Sequence, residues 1–351
     1  MRSILARSRF SPIVLLSCRG ATTAFSSQPT ASLLLLRDFR NPTTYHHRTA
    51  RMRVSSAGTD SWMLPPPSDG EGGRIGTDKC IVRILCLHGK GGNGTEFVDR
   101  TLLPLRSLVE RRLVDDCIDG DANDGGGEGD NDISIRWESL TAPYDLISND
   151  DDYDGGGYSW WTMPSGVRSY NAREYDGFEA SEAMVMDAIF PESNDDIDSA
   201  ARGSRYDIVF GHSQGAILMS ALLSIRGRLW NTAPPGGGPR GYVLNGCAWP
   251  NPFGDSLSRV ADGRISDIID EAPSVPPRIL FVMGKYDGVN PVESAMRVHD
   301  AYRAAGFDVS IVEHDGGHSV PAGKDEDSAR ALEEVVDWIV DIARRKVSKC
   351  M

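Results

Sequence analysis

The chain has 351 residues, 40% of them hydrophobic and 25% charged, enough to bury one sizeable core with a tail or insertion besides. Its formal net charge of -13 argues against a nucleic-acid-binding surface, because neutralising phosphates takes clustered Lys and Arg. Cys18, Cys80, Cys86, Cys117, Cys247 and Cys350 show neither a Cys-x-x-Cys pair nor zinc-ligand spacing, so they read as reduced thiols, with no metal and no cofactor implied.

Residues 1–55 read as an organelle-targeting leader. Up to Ala50 they carry Arg2, Arg7, Arg9, Arg19, Arg37, Arg40 and Arg48, many Ser and Thr, no Lys, and only Asp38 as an acid. The destination expected is a plastid or mitochondrion; Ala21 to Phe25 fits a cleavage site followed by a plastid-type Phe, and initiation at Met52 would instead leave a cytoplasmic protein. The apolar runs Ile13 to Leu16 and Leu33 to Leu36 are far shorter than the roughly 20 residues that span a bilayer, so no transmembrane segment is expected. A linker over 56–78, with Pro65-Pro66-Pro67 and Gly72-Gly73, leads to a folded domain over 79–346 and a short tail at 347–351.

The domain opens on Cys80 to Leu87, an almost uniformly apolar run of the kind buried on both faces of a parallel sheet. After His88-Gly89 and the glycine-rich loop Lys90 to Gly94, a helical pattern runs through Phe97, Leu102, Leu105, Leu108 and Val109. The unit recurs. Ile133 to Leu140 reads as a strand, Phe178 to Ile189 as a helix, Tyr206 to Phe210 as a strand, and Ala216 to Ile225 as a nearly all-apolar helix. Gly241 to Gly246 and Arg278 to Met283 are further strands. Asn290-Pro291-Val292-Glu293 reads as a capped helix start, the helix stopping at Gly306, with Val309 to Glu313 as the last strand. A final helix carries Leu332, Val335, Val336, Ile339 and Ile342 on one face. Such alternation predicts an α/β fold: a mostly parallel sheet with helices on both faces. Two acidic stretches, Asp115 to Asp132 and Asn149 to Gly157, read as solvated insertions; Asp119, Asp121, Asn123 and Asp130 have a calcium-loop spacing, but Asp124 stands where that loop needs Gly.

The chemistry centres on Gly211-His212-Ser213-Gln214-Gly215 between a strand and a helix, the pattern of a nucleophile elbow. A serine hydroxyl needs an imidazole held by a carboxylate, in the chain order Ser, acid, His. Asp287, in the loop after Arg278 to Met283, and His318, after the last strand, satisfy that order; His314 competes as base and Asp255 is the fallback acid. Two glycines before His318 let the backbone double back toward Ser213, which favours it over His314. The backbone amides of Gln214 and Lys90 are the expected oxyanion donors, with Gly91 as the alternative to Lys90. His88 and His212 read as packing residues. Gly89-Lys90-Gly91 lacks the Gly-Lys-Ser/Thr ending of a phosphate loop, so nucleotide binding is not expected. Tyr158, Trp160, Trp161 and Met163 lie close enough in sequence to the site to line an acyl pocket or, equally, to fill core; Trp160 and Trp161 are the candidate substrate contacts.

Together, Ile84 to Gly89, Phe210 to Ala216, Gly284 to Asp287 and His314-Asp315-Gly316-Gly317-His318-Ser319-Val320-Pro321 resemble the serine hydrolase FSH family of the α/β-hydrolase superfamily. Ser159-Trp160-Trp161 and Tyr175 to Ser181 are similar to that family's tryptophan segment and following helix. The resemblance implies an α/β-hydrolase fold and hydrolysis of carboxylic esters or thioesters, often acyl-bearing, through Ser213, His318 and Asp287 with no cofactor. The Lys90 to Gly94 loop departs from the family, where bulkier residues are common. A transacylase would share the same residues, whereas a catalytically silent ligand receptor or interaction protein of this fold would usually have a broken triad.

Overall fold

The computed structural model of the chain describes residues 80–118, 133–146, 156–191, 203–230, 232, 237–264 and 276–348. The leader, the linker and nearly all of both acidic stretches, including the calcium-like spacing, lie outside them. Among the described residues six strands form one parallel sheet: β1 (Ile81–Leu87), β2 (Ser134–Leu140), β5 (Ile208–His212), β6 (Gly241–Asn245), β7 (Arg278–Gly284) and β8 (Asp308–His314), in the order β2-β1-β5-β6-β7-β8. A two-stranded ribbon, β3 (Tyr144–Asp145) with β4 (Tyr158–Ser159), stands apart from it.

Period-two alternation in the inner strands feeds two apolar layers, which is why runs such as β1, β5 and β7 read as almost continuously hydrophobic. Leu85, Leu87, Val209, Tyr242, Leu244, Ile279 and Phe281 face one layer, with α3 (Phe178–Ile189), α4 (Gln214–Ile225), α5 (Gly254–Ala261) and α6 (Val292–Ala304). Val82, Ile84, Cys86, Phe210, Val243, Leu280 and Val282 face the other, with α2 (Leu103–Ile118) and α7 (Glu326–Val347). The amphipathic pattern of α7 is borne out: Leu332, Val335, Val336, Ile339 and Ile342 are all buried. No helix among the described residues is long and apolar enough to cross a membrane.

Two expectations change in detail. The helix expected through Phe97 to Val109 is split into α1 (Gly94–Glu96), a π turn over Phe97–Thr101 and α2, because Pro104 has no N–H with which to continue the ladder. Asn290 does not cap α6; Pro291 takes the cap position, and the Asn290 side chain instead donates to the Gly246 carbonyl at 2.7 Å. The ribbon β3–β4 and the helix α5 had no clear sequence signal.

The chain crosses from β2 past β1 to β5, so the crevice at the C-terminal ends of β1 and β5 is the switch point where open α/β sheets bind ligands. The opposite end is closed by a polar hub. Asp207, 8% exposed, accepts the Arg83 amide at 3.0 Å and the Lys346 ammonium at 2.8 Å through one oxygen, while Arg240 approaches the other at 3.8 Å. Lys346 also donates to the Ile81 carbonyl at 2.7 Å, tying the end of α7 to β1. Removing one partner of such a group strands buried charge, at a cost of about 3 kcal/mol. Asp207→Ala is therefore expected to lower the melting temperature by roughly 6–12 °C, with kcat/KM on a soluble ester unchanged at 25 °C. Thermal melts beside esterase kinetics check both halves; unchanged melting removes the hub from the stability account.

Candidate active site

Ser213 stands where β5 turns into α4, with φ 53° and ψ -116°, the only non-glycine residue at positive φ among those described. Such backbone costs on the order of 1–3 kcal/mol and persists only where its surroundings impose it. They do so here. The Ser213 amide donates to the Asn245 carbonyl and its carbonyl accepts from Ile217, both at 2.9 Å. A Cβ on Gly215 would lie 2.4 Å from the Leu87 carbonyl oxygen, and one on Gly211 would lie 2.7 Å from the Ala216 nitrogen. Both flanking glycines therefore follow from the close packing of the turn on β1 and on itself.

The loops after β7 and β8 bring the acid and the base to this turn. The Ser213 hydroxyl donates to His318 Nε2 at 2.7 Å, and His318 Nδ1–H donates to Asp287 Oδ2 at 2.6 Å. Asp287 Oδ1 accepts the amides of Val289 and Asn290, each at 2.8 Å. The Asp287 side chain is only 3% exposed. Burial pushes its pKa up, but hydrogen bonds from His318 and from the Asn290 and Val289 amides outweigh that and hold it below the ordinary carboxylate value. Gly246, at φ 58°, forms the wall behind the base: a Cβ there would lie 2.9 Å from His318 Cε1. Sequence reasoning missed Gly246, Asn245 and Asn290, because their roles depend on partners far away in the chain.

The remaining histidines near the site serve the frame; His88 and His314 are buried and His212 is half-buried. His212 stacks on Phe97, centroids 5.9 Å apart, and lies 5.1 Å from the His318 ring; its Nδ1 accepts from Asn245 Nδ2 at 2.7 Å. Burial first, then the neighbouring His318, pushes its pKa down to about 3. His88 donates from Nδ1 to the Gly89 carbonyl at 2.6 Å and accepts the Ala142 amide on Nε2 at 3.0 Å, and burial lowers its pKa. His314 accepts the Gly316 amide at 3.1 Å, so it shapes the loop while His318 meets the serine. Asp255, the fallback acid, is exposed in the first turn of α5.

Gln214 begins α4, so its amide is one of the first-turn N–H groups without an intrahelical acceptor. Of the two candidate loop amides, Gly91 donates to the Tyr158 carbonyl at 2.8 Å, whereas Lys90 has no acceptor among the described residues. The Lys90 side chain is exposed. Trp160 and Trp161 are each 0% exposed, which corrects their placement as substrate contacts: they stand behind the site, in the core. Trp161 stacks on Tyr175 at 4.3 Å, with Phe178 alongside. Tyr158 and Met163 are only partly buried.

The Arabidopsis thaliana protein SOBER1 has a similar solved structure, 16% identical over 76% of this chain and 100% of its own, with a TM-score of 0.45. Zea mays acyl-protein thioesterase 2 is 20% identical over 76% and 95%, TM-score 0.43, and a Bacillus cereus carboxylesterase 14% over 76% and 89%, TM-score 0.41. No curated protein matches by sequence. The family described as serine hydrolase (FSH1) matches residues 79–329, well over half of the chain and all of the strands, helices and hydrogen-bonded side chains just described up to the start of α7. The chain belongs to the FSH1 serine hydrolase family.

Proposed function

We propose that this serine hydrolase cleaves acyl esters or thioesters through a Ser213–His318–Asp287 triad and an acyl-enzyme intermediate. The observation that carries the reading is the unbroken hydrogen-bond chain from the Ser213 hydroxyl through both nitrogens of His318 to a buried, ionised Asp287. As Ser213 Oγ attacks the carbonyl carbon, its proton passes to His318 Nε2. Asp287 holds the Nδ1–H tautomer and stabilises the imidazolium without taking the proton. The amides of Gln214 and Lys90 receive the negative charge that develops on the carbonyl oxygen. Collapse expels the alcohol or thiol, which leaves with the proton from Nε2. Water then repeats the sequence and releases the acid.

Ser213→Ala is expected to abolish both fluorophosphonate labelling and turnover of p-nitrophenyl acyl esters and acyl-CoA thioesters. Asp287→Asn should keep the fold and lower kcat on the order of 10⁴-fold by stabilising the wrong tautomer. Labelling that survives in Ser213→Ala would place the nucleophile elsewhere.

The histidines with lowered pKa values set a second expectation. In the unfolded chain His212 takes up a proton near its ordinary value of 6.5, whereas in the folded protein it stays neutral down to about 3. The unfolded state binds more protons between those limits, so stability falls as pH falls from 6.5 toward 3. The lowered values of His88 and His314 act in the same direction, and the depressed Asp287 joins them only below the ordinary carboxylate value of 3.8. Melting temperature should drop between pH 7 and pH 5. In His212→Asn, which keeps an acceptor for Asn245, the drop should be smaller; equal drops in the two proteins would mean that His212 ionises freely in the fold.

A further inference from the structure

Two amides from opposite sides of the sheet's switch point must face one oxygen for the proposed reaction to run. Each sits at the end of a separate element, Gln214 at the start of α4 and Lys90 in the loop after β1, and neither sheet pairing nor helix packing alone fixes their spacing. Residues 158–160 touch both. Tyr158 pairs with Gly92 across a short antiparallel bridge, accepting the Gly91 amide at 2.8 Å and donating its own amide to the Gly92 carbonyl at 3.0 Å. Trp160 donates its indole N–H to the His88 carbonyl at 2.7 Å. The loop is thus held on both sides of Lys90, at His88 and at Gly91–Gly92, by one short segment. The same Trp160 donates its backbone amide to Gln214 Oε1 at 3.1 Å, and Gln214 Nε2 reaches the Trp161 carbonyl at 3.4 Å. The Gln214 side chain, 3% exposed, therefore joins the residue bearing one donor amide to the segment that holds the other.

The segment is itself anchored. Ser181 of α3 donates to the Trp160 carbonyl, Trp161 stacks on Tyr175, and Tyr158 pairs with Asp145 in the β3–β4 ribbon. The loop has to reach the nucleophile closely, since a Cβ on Gly89 would stand 3.0 Å from Ser213 Cβ. Its glycines leave Lys90 to Gly94 little stiffness beyond the Gly92-to-Gly89 turn bond, so external bonds supply the rest.

We propose that Trp160 and the Gln214 side chain are positioning residues: with Tyr158 they form a splint that sets the separation of the Lys90 and Gln214 amides. The proposal rests on the triad reading above and adds to it the device that aligns the oxyanion donors. A misplacement approaching 1 Å costs up to about 100-fold in rate. The loss falls on the transition state, where negative charge has developed on the oxygen, and spares the ground-state carbonyl.

The test uses the full chain carrying Trp160→Phe, which keeps a ring and removes the indole donor, or Gln214→Met, which keeps the backbone amide and much of the volume. Each is compared with wild type for kcat and KM on one p-nitrophenyl ester, and for inhibition by an alkyl trifluoromethyl ketone, whose serine adduct carries an alkoxide in the oxyanion position. The expected result is a fall in kcat of about 10- to 100-fold with KM within about twofold, and a parallel loss of ketone affinity. Should Trp160→Phe fail to fold, Gln214→Met alone decides. Folded variants with wild-type kcat and ketone affinity, or with changes in KM or melting temperature only, overturn the splint while leaving the triad standing. A folded wild type that neither labels with fluorophosphonate nor turns over any ester overturns both.

Discussion

Everything at the catalytic edge depends on a serine held in backbone geometry that it would not adopt alone. The φ of 53° at Ser213 is sustained from three directions: Asn245 of β6 accepts its amide, Ile217 of α4 donates to its carbonyl, and the backbone of β1 closes against Gly215. Relaxing any of these would let the hydroxyl swing out of line with His318. The glycines of the motif are therefore consequences of how tightly β5, α4 and β1 meet. The parallel sheet matters to the chemistry because it fixes these three elements at one edge, and because β7 and β8 end at the same edge with the acid and the base.

The two ends of the sheet have divided roles. At the N-terminal end the Asp207 hub gathers Arg83, Arg240 and Lys346 into a structural knot. At the C-terminal end, polar groups are committed in a different way. Asn290 joins the acid loop to Gly246, Asn245 joins His212 to the Ser319 carbonyl, and Asp287 spends one oxygen on two amides and the other on His318. Each polar side chain there restrains a loop that carries a reacting group, so rigidity is concentrated where alignment counts.

Much of this was readable in the chain because it depends on local pattern. Runs such as Cys80 to Leu87 gave their strands away by being apolar on both faces, and Gly211 to Gly215 announced its turn through residue types that only that turn requires. Chain order picked out Asp287 and His318, which the fold brings into one hydrogen-bond chain with Ser213. The failures are equally physical. Asn290-Pro291-Val292-Glu293 satisfies the pattern of a helix start one residue too early, since the Asn side chain serves Gly246, 44 positions back. Trp160 and Trp161 have the same composition whether they face a ligand or the core, and only the three-dimensional contacts separate the two. Gly246 carries no local signal at all, because the atom it must avoid belongs to His318.

In the proposed reaction His318 becomes positively charged, and the imidazoles of His212 and His88 nearby have their pKa values lowered. The chain is strongly acidic as a whole, but charges more than a Debye length away are screened, and what the transition state feels is within a few ångströms. The His318 ring, which takes the serine proton in the proposed reaction, lies 5.1 Å from that of His212. A proton on both would cost about 3 kcal/mol at an effective dielectric near 20, which is roughly a hundredfold in rate. Burial against Phe97, with Asn245 donating to Nδ1, keeps His212 neutral and removes that repulsion. His88, on the β1 side, is held between the Gly89 carbonyl and the Ala142 amide, and burial lowers its pKa. Asp287 is then the charged group hydrogen-bonded to the base, and its sign is the one that favours proton transfer.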